Sequence, residues 1–205
     1  MFLKDYIPNI DKRFGRISFS GLAFESSKVK KNNIFFAIKG NYFDGNNFIQ
    51  KAIQKGAKII VSEKNILIKN KNIIFIRTQN VRKLLAEISY KILGKKPNIL
   101  VAVTGTNGKS SVADFYYQIL NLNKRRVASI GTIGIKHNDK KNILNKTTLD
   151  PIQLSLILKH LKKKRIEFVI LEASSHGLKQ NRLDGLNFDI GIFTNLSHDH
   201  LDYHK

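Results

Sequence analysis

Apolar residues recur along this chain in two rhythms. Short β-branched or aromatic runs predict strands: IFFAI (Ile34 to Ile38), AKIIVS (Ala57 to Ser62) and NIIFI (Asn72 to Ile76). Between them, FIQKAIQKG (Phe48 to Gly56) spaces its apolar residues as an amphipathic helix that a glycine stops. VRKLLAEISYKILG (Val81 to Gly94) has the same spacing over a longer stretch, with Gly94 as its terminator. KKPN (Lys95 to Asn98) then interrupts the pattern and marks the expected boundary between two domains, 1–97 and 98–205.

The second half opens with NILVAV (Asn98 to Val103), a continuous apolar run of the kind found in strands buried on both faces. SSVADFYYQIL (Ser110 to Leu120) follows as a helix and RRVASIG (Arg125 to Gly131) as a strand. PIQLSLILKHLKKK (Pro151 to Lys164) is a helix with proline in its first turn. FVILEASS (Phe168 to Ser175) and FDIGIFTN (Phe188 to Asn195) are two more strands ending in polar residues. Strands alternating with helices predict the α/β class, with a parallel sheet and right-handed crossovers.

Composition narrows the picture in two places. There is no cysteine, which excludes disulfides and thiolate metal sites and fits a reducing cytoplasm. No apolar run reaches the roughly 20 residues of a membrane helix, and MFLKDYIPNI has no signal-peptide core. The formal net charge of +21 is large enough to attract a polyanion. Its lysines are dispersed among Asn and Ile, as in KKNNIF and NLNKRR, and aromatics do not interleave with them into a base-stacking platform. General lysine enrichment, steering of an anionic small molecule and nucleic-acid binding all stay open as its meaning, the last as the weakest.

Chemistry concentrates at the ends of the second-half strands. VAVTGTNGKSS (Val101 to Ser111) runs from a strand into glycines, a lysine and two hydroxyls, then into a helix. The usual phosphate-loop spacing G-x-x-x-x-G-K-[ST] would need glycine at position 103, which is Val103. The context still predicts a phosphate site. Gly105 and Gly108 free the backbone for close approach, and the helix start adds the positive end of its dipole. Lys109 supplies a cation and Ser110 a magnesium-ligating hydroxyl. Glu172 ends an apolar strand at the carboxyl edge of the sheet, where ligands of open α/β sheets collect and where a carboxylate can hold Mg²⁺. NLSHDHLDYHK (Asn195 to Lys205) clusters histidines and aspartates just past another strand, a weak metal signal by itself. Thr147 and Thr148, before Asp150-Pro151, either cap a helix or bind an anion.

Taken together, TGTNGKSS at 104–111, TTLDP at 147–151, LEASSHGLKQNR at 171–182 and FTNLSHDHLDYH at 193–204 resemble the Mur ligases. These are ATP-dependent amide-forming enzymes of peptidoglycan precursor assembly, whose own loop variant lacks the early glycine. The motifs look most like the branch that adds a diamino acid as third residue of the stem peptide. FESSKVKKNNIFFAIKGNYFDG at 24–45 is similar to that family's nucleotide-sugar-binding N-terminal domain.

The resemblance implies roles. ATP would lie on Gly105, Thr106, Asn107, Gly108, Lys109, Ser110 and Ser111. Mg²⁺ would be held by Ser110, Glu172 and His200, with Lys109, Glu172 and His200 as the catalytic set. Thr147, Thr148, Ser174, Gln180 and Arg182 match positions gripping the MurNAc-dipeptide, and Phe24, Ser26, Asn41, Tyr42 and Phe43 match the uridine diphosphate end. His176 is expected to be structural. The substrates would be UDP-MurNAc-L-Ala-D-Glu and meso-diaminopimelate or L-lysine, handled by a cytoplasmic monomer without nucleic-acid or membrane partners. Glu25-Ser26-Ser27 replaces the family's D-S-R, Lys146 its common Asn, and His198 its Arg or other polar residue. The family pattern continues past position 205 with a carbamylated lysine, the rest of the ATP domain and an amino-acid-binding domain, so the 205 residues alone are expected not to complete the reaction. The alternatives are a sister ligase of the folylpolyglutamate type and a nucleic-acid-binding phosphate-loop protein.

Overall fold

A computed structural model describes residues 1–7, 9–66, 70, 72–137, 140–142 and 147–198. The chain divides into two compact units, Met1–Ile92 and Leu93–Lys205, a boundary five residues earlier than the 97/98 expected from the break at KKPN. The helix over 81–93 keeps its period up to Gly94, which at φ +73° ends it in a left-handed conformation that favours glycine.

The first unit is a four-stranded parallel sheet in the order β1 (Gly21–Ala23), β2 (Asn33–Phe36), β3 (Ala57–Ser62) and β4 (Ile74–Arg77). α1 (Ile49–Gln54) precedes β3 and α2 (Val81–Leu93) follows β4. β2 is buried at every position, as its run of apolar residues requires. Phe35 and Ile60 join Ala23, Val29, Ile49 and Ala52 in one cluster. β1 is too short to show a period and was not legible in the sequence.

Because β1 and β2 are parallel neighbours, the segments leaving them, Phe24 to Ser26 and Asn41 to Phe43, start from the same sheet edge. Tyr42 and Phe43 are exposed. Their loop is closed at its base by hydrogen bonds from Gly40 N–H to Phe43 O (2.8 Å) and Gly45 N–H to Ile38 O (2.9 Å). Asp44 locks it. One carboxylate oxygen accepts from Asn46 N–H (2.9 Å) and the other from Lys64 Nζ (2.7 Å), while Ser62 Oγ donates to Asn46 Oδ1 (2.6 Å).

The second unit holds a six-stranded mixed sheet in the order β10-β5-β9-β6-β7-β8. β5 (Ile99–Thr104), β6 (Val127–Gly131), β9 (Phe168–Glu172) and β10 (Ile190–Phe193) run parallel, as expected. β7 (Gly134–His137) and β8 (Lys140–Asn142) do not: they add an antiparallel extension that the strand–helix alternation hid. Thr132 and Ile133 alone join β6 to β7, with Gly134 at φ +111°, so the turn reads G-T-I-G rather than the familiar Asn-Gly or Asp-Gly. α3 (Lys109–Leu122) covers one face through Ala113, packed with Val101, Val103 and Ile170. α4 (Pro151–Lys163) buries Leu154, Leu158 and Leu161. The expected strand over 168–175 stops at Glu172, because Ser174 caps a short helix, α5 (Ser175–Lys179), by accepting from Gly177 N–H at 3.1 Å.

Lys64 and the neighbouring amide groups stabilise the Asp44 carboxylate and depress its pKa from 3.8 to about 2. A depressed carboxyl contributes stability that is complete above its ordinary value and lost as pH falls through the folded one. The melting-temperature gap between wild type and Asp44→Asn should therefore be constant from pH 7 to about 5, shrink below that, and be mostly gone by about pH 2. A gap that does not change with pH would show that the ion pair and its amide bonds are not what Asp44 contributes.

Candidate functional site

Sheet register builds the site. β9 lies between β5 and β6, with Val103 paired to Glu172 on one side and Ile130 paired to Leu171 on the other. Glu172 thus emerges between the loop after β5 and the turn after β6. It is a 2% exposed carboxylate. Ser110 Oγ donates to its Oε2 (2.9 Å), Thr132 Oγ1 to the same oxygen (3.1 Å), and Thr132 N–H to Oε1 (2.9 Å). Among the described residues it has no ion-pair partner. Three neutral donors compensate only part of the cost of burying an ionised carboxylate. Hard oxygen groups around an uncompensated acid match the preference of Mg²⁺, and Ser110 and Glu172 are the residues that could hold one.

Gly131 is the unannounced requirement of this arrangement. A Cβ there would fall 2.1 Å from Glu172 Oε1 and 2.4 Å from its carboxyl carbon, so the acid fills the space a side chain would take.

The loop from Gly105 to Ser111 is shaped by two glycines with different tasks. Gly105, at φ +133°, would place a Cβ 2.1 Å from Thr194 Oγ1, so its glycine admits the segment after β10 rather than a phosphate. Gly108 meets nothing within 4 Å; what it supplies is the φ of +83° that turns the chain into α3. Thr106 N–H donates to Asn195 O (2.9 Å) and Asn107 N–H to Asn195 Oδ1 (3.0 Å). The amides of Thr106 and Asn107 are therefore committed to the protein. Those of Gly108 to Ser111, at the start of a 14-residue helix without a side-chain cap, face the cleft with the positive end of the helix dipole. Lys109 Nζ donates to Gly105 O (2.7 Å) and Thr106 O (2.8 Å), which holds the ammonium over the loop.

Thr106 to Ser111, Thr132, Thr147, Glu172 and Ser174 line one cleft of about 310 Å³. Neither threonine of the pair caps α4: Asp150 does, accepting from Gln153 N–H at 3.0 Å. Thr148 is buried. Its hydroxyl donates to Glu172 O (3.0 Å), lies 3.0 Å from Ser174 Oγ and accepts from Ser174 N–H (2.9 Å). Arg182 donates through one terminal nitrogen to Thr148 O and through Nε and the other to Gln180 Oε1 (3.2 and 2.7 Å). Thr148, Ser174, Gln180 and Arg182 are thereby gathered into one bonded cluster, while the Thr147 hydroxyl lies 2.9 Å from Thr132 Oγ1 instead. Phe24, Ser26, Asn41, Tyr42 and Phe43 belong to the first unit and do not line this cleft. His200, and with it most of the histidine-rich stretch, lies outside the described residues; no cluster of metal-ligating side chains occurs among those described. Gly131, Thr132, Thr194 and Asn195 escaped the sequence reading, although each directly follows or ends an apolar run, where site residues of a parallel sheet gather.

A parallel sheet whose β5 leads through a glycine-lysine-serine loop into a long helix, with an acid ending the adjacent strand, defines the phosphate-loop α/β class. Within that class, residues 103–205 match the Mur ligase middle domain and residues 18–91 the Mur ligase family catalytic domain: the chain belongs to the Mur ligase family. It is 42% identical over 202 residues to the UDP-N-acetylmuramoyl-L-alanyl-D-glutamate–2,6-diaminopimelate ligase of Rickettsia conorii, covering 96% of this chain and 41% of that protein. The protein of the same name from Clostridioides difficile is 38% identical over 212 residues, covering 100% of this chain and 43% of the relative. A solved structure of a ligase of that name superposes with a TM-score of 0.84 at 32% identity, over 100% of this chain and 42% of the other. A Thermotoga maritima MurF ligase solved with ADP shares the fold, with a TM-score of 0.54 at 24% identity over 85% of this chain and 37% of that one. The chain thus spans about two-fifths of the length of these relatives.

Gly131→Ala should cost about 1–3 kcal/mol in denaturant unfolding, as overpacking against a buried group does. Combined with Glu172→Ala, which removes the obstacle, the loss should be clearly smaller than the sum of the two single losses. Strict additivity would mean that Gly131 is not shaped around the carboxylate.

Proposed function

We propose that this chain carries the nucleotide-sugar-binding and nucleotide-binding parts of a cytoplasmic ATP-dependent ligase that joins a diamino acid to UDP-MurNAc-L-Ala-D-Glu. The observation that carries the reading is the single cleft in which Lys109 and the α3 start stand beside Glu172, Thr147 and Ser174. A cation-and-amide phosphate cradle thereby adjoins a hydroxyl cluster, as a reaction between two anionic partners requires. Likeness to relatives bearing that enzyme's name supports the choice of substrate.

On this reading the γ-carboxylate of the D-glutamyl residue attacks the γ-phosphorus of ATP, releasing ADP and leaving an acyl phosphate. The amine of the diamino acid then attacks the acyl carbon, phosphate departs, and the amine loses a proton. The amides of Gly108 to Ser111 and the Lys109 ammonium bind phosphate oxygens and stabilise charge on the transferring group. Ser110 and Glu172, with His200 as a further candidate, would hold Mg²⁺, which screens the two anions from each other. Thr147, Ser174 and Arg182, with Thr148 and Gln180 behind them, orient the MurNAc-dipeptide. Phe24, Ser26, Asn41, Tyr42 and Phe43 are the candidates for the uridine diphosphate end, an assignment supported by the shared sheet edge of β1 and β2.

Titration calorimetry separates the two halves of the cleft. Lys109→Ala should weaken Mg·ATP binding roughly ten-fold or more while UDP-MurNAc-L-Ala-D-Glu binding changes little. Arg182→Ala should do the converse, and by a similar factor. Wild-type chain that binds neither ligand, or variants that fail to split the two affinities, would overturn the reading.

A further inference from the structure

Thr132 follows β6 in the tight G-T-I-G turn and touches the cleft from neither the loop nor the threonine pair. Its contacts nevertheless span the site. Its N–H and hydroxyl grip separate oxygens of Glu172, at 2.9 and 3.1 Å, and its Oγ1 lies 2.9 Å from Thr147 Oγ1. With Ser110 on the far side of the carboxylate, an unbroken series runs Ser110–Glu172–Thr132–Thr147 across the cleft.

Proton counting gives the series a direction. An ionised carboxylate only accepts, and a hydroxyl has one proton to give. Thr132 spends its proton on Glu172, so the hydrogen bond between the threonines must be donated by Thr147. Each link polarises the next toward the buried negative charge. The two-point grip also orients the carboxylate: without the Thr132 hydroxyl, Glu172 keeps the Thr132 N–H on Oε1 and Ser110 Oγ on Oε2, the latter from a residue itself assigned to the cation, and loses its link to Thr147.

We propose that Thr132 is a positioning residue that couples the two halves of the cleft, holding Glu172 in cation-binding orientation and tying that orientation to Thr147. The inference rests on the reading of the cleft as an Mg·nucleotide site beside a sugar-peptide site. Thr132 touches neither ligand in this scheme; it acts through Glu172 on one side and Thr147 on the other.

The test uses ADP as probe, titrated calorimetrically into the 205-residue chain with Mg²⁺ and with EDTA, against Thr132→Val, Thr132→Ser and Thr147→Val. Valine keeps the shape and the backbone N–H but not the hydroxyl; serine restores the hydroxyl. The expected result is that Mg²⁺ tightens ADP binding to wild type and to Thr132→Ser, and that Thr132→Val loses about ten-fold of that Mg²⁺-dependent gain. Metal-free ADP affinity should stay level across the series, which a general loosening of the fold would not allow. Thr147→Val should lower the same gain several-fold, although Thr147 is placed against the other ligand. An equal Mg²⁺ gain in wild type and both valine variants overturns the proposal while leaving the cleft's nucleotide reading standing. If wild type binds ADP without any Mg²⁺ gain, or not at all, the cleft reading fails and the coupling falls with it. Should Thr132→Val not fold, by circular dichroism and melting, Thr147→Val decides alone: an unchanged Mg²⁺ gain refutes the coupling.

Discussion

A buried carboxylate is the constraint around which the second unit is arranged. Glu172 ends a strand enclosed by neighbours on both sides, so its carboxylate is almost wholly withdrawn from water at the base of the cleft. Leaving such a group without donors costs several kcal/mol. The chain supplies them from two directions, the start of α3 through Ser110 and the β6–β7 turn through Thr132, and Gly131 beside that turn gives up its side chain to make room. Those two segments and Glu172 are far apart in sequence and meet because β9 is inserted between β5 and β6. The topology of the sheet is thus what makes the acid tolerable, and the acid is what makes the edge chemically useful.

The same logic extends to the segment after β10. Thr194 and Asn195 hydrogen bond to the phosphate loop from the side opposite Glu172, taking the carbonyl of Asn107 and the amides of Thr106 and Asn107. Asp189 at the other end of that strand pairs with Lys96 and accepts from Leu100 N–H at 2.8 Å, which holds its carboxyl below the usual range. β10 is therefore fastened to β5 at both ends. A glycine-rich loop left to itself would sample many conformations; here its first half is fixed by protein groups and its second half by the helix it begins. What stays available to a ligand is a short row of amides already pointing one way, the preorganisation that anion binding needs.

How much of this was legible in the sequence follows from the range of the interactions. Long segments with one strong period read correctly: α2 and α4 lie within a residue of their expected ends, and Ala57–Ser62 is β3 without correction. Glu172 and the Lys109-Ser110 pair were legible because an apolar run ending in a charged or glycine-rich stretch is a local pattern. The β7–β8 extension was not, since a G-T-I-G turn carries none of the usual hairpin signals and the strands it joins are short. Nor could the duties of the loop glycines be told apart: Gly105 answers to Thr194, almost ninety positions away, and no local rule reaches that far. The continuation of FVILE into a strand failed for a related reason, as Ser174 found a capping partner in Gly177, itself kept small by the nearby Thr148.

The formal net charge of +21 is spread well beyond the cleft. On the proposed reading the phosphate cradle draws its specificity from amides, one lysine and the geometry of Gly108, and none of these depends on the remaining basic residues. Among the described residues many of those are exposed and several are paired, as Lys28 with Glu25, Lys83 with Glu87, and Arg126 with Glu167. Exposed pairs of this kind contribute little stability each. Their summed field, however, extends about a Debye length from the surface and favours the approach of any polyanion, the proposed nucleotide and nucleotide-sugar ligands included. Long-range attraction of that sort raises encounter rates without choosing between ligands. On the proposed reading the choice is made inside the cleft, where a buried acid lies on one side and a row of hydroxyls on the other.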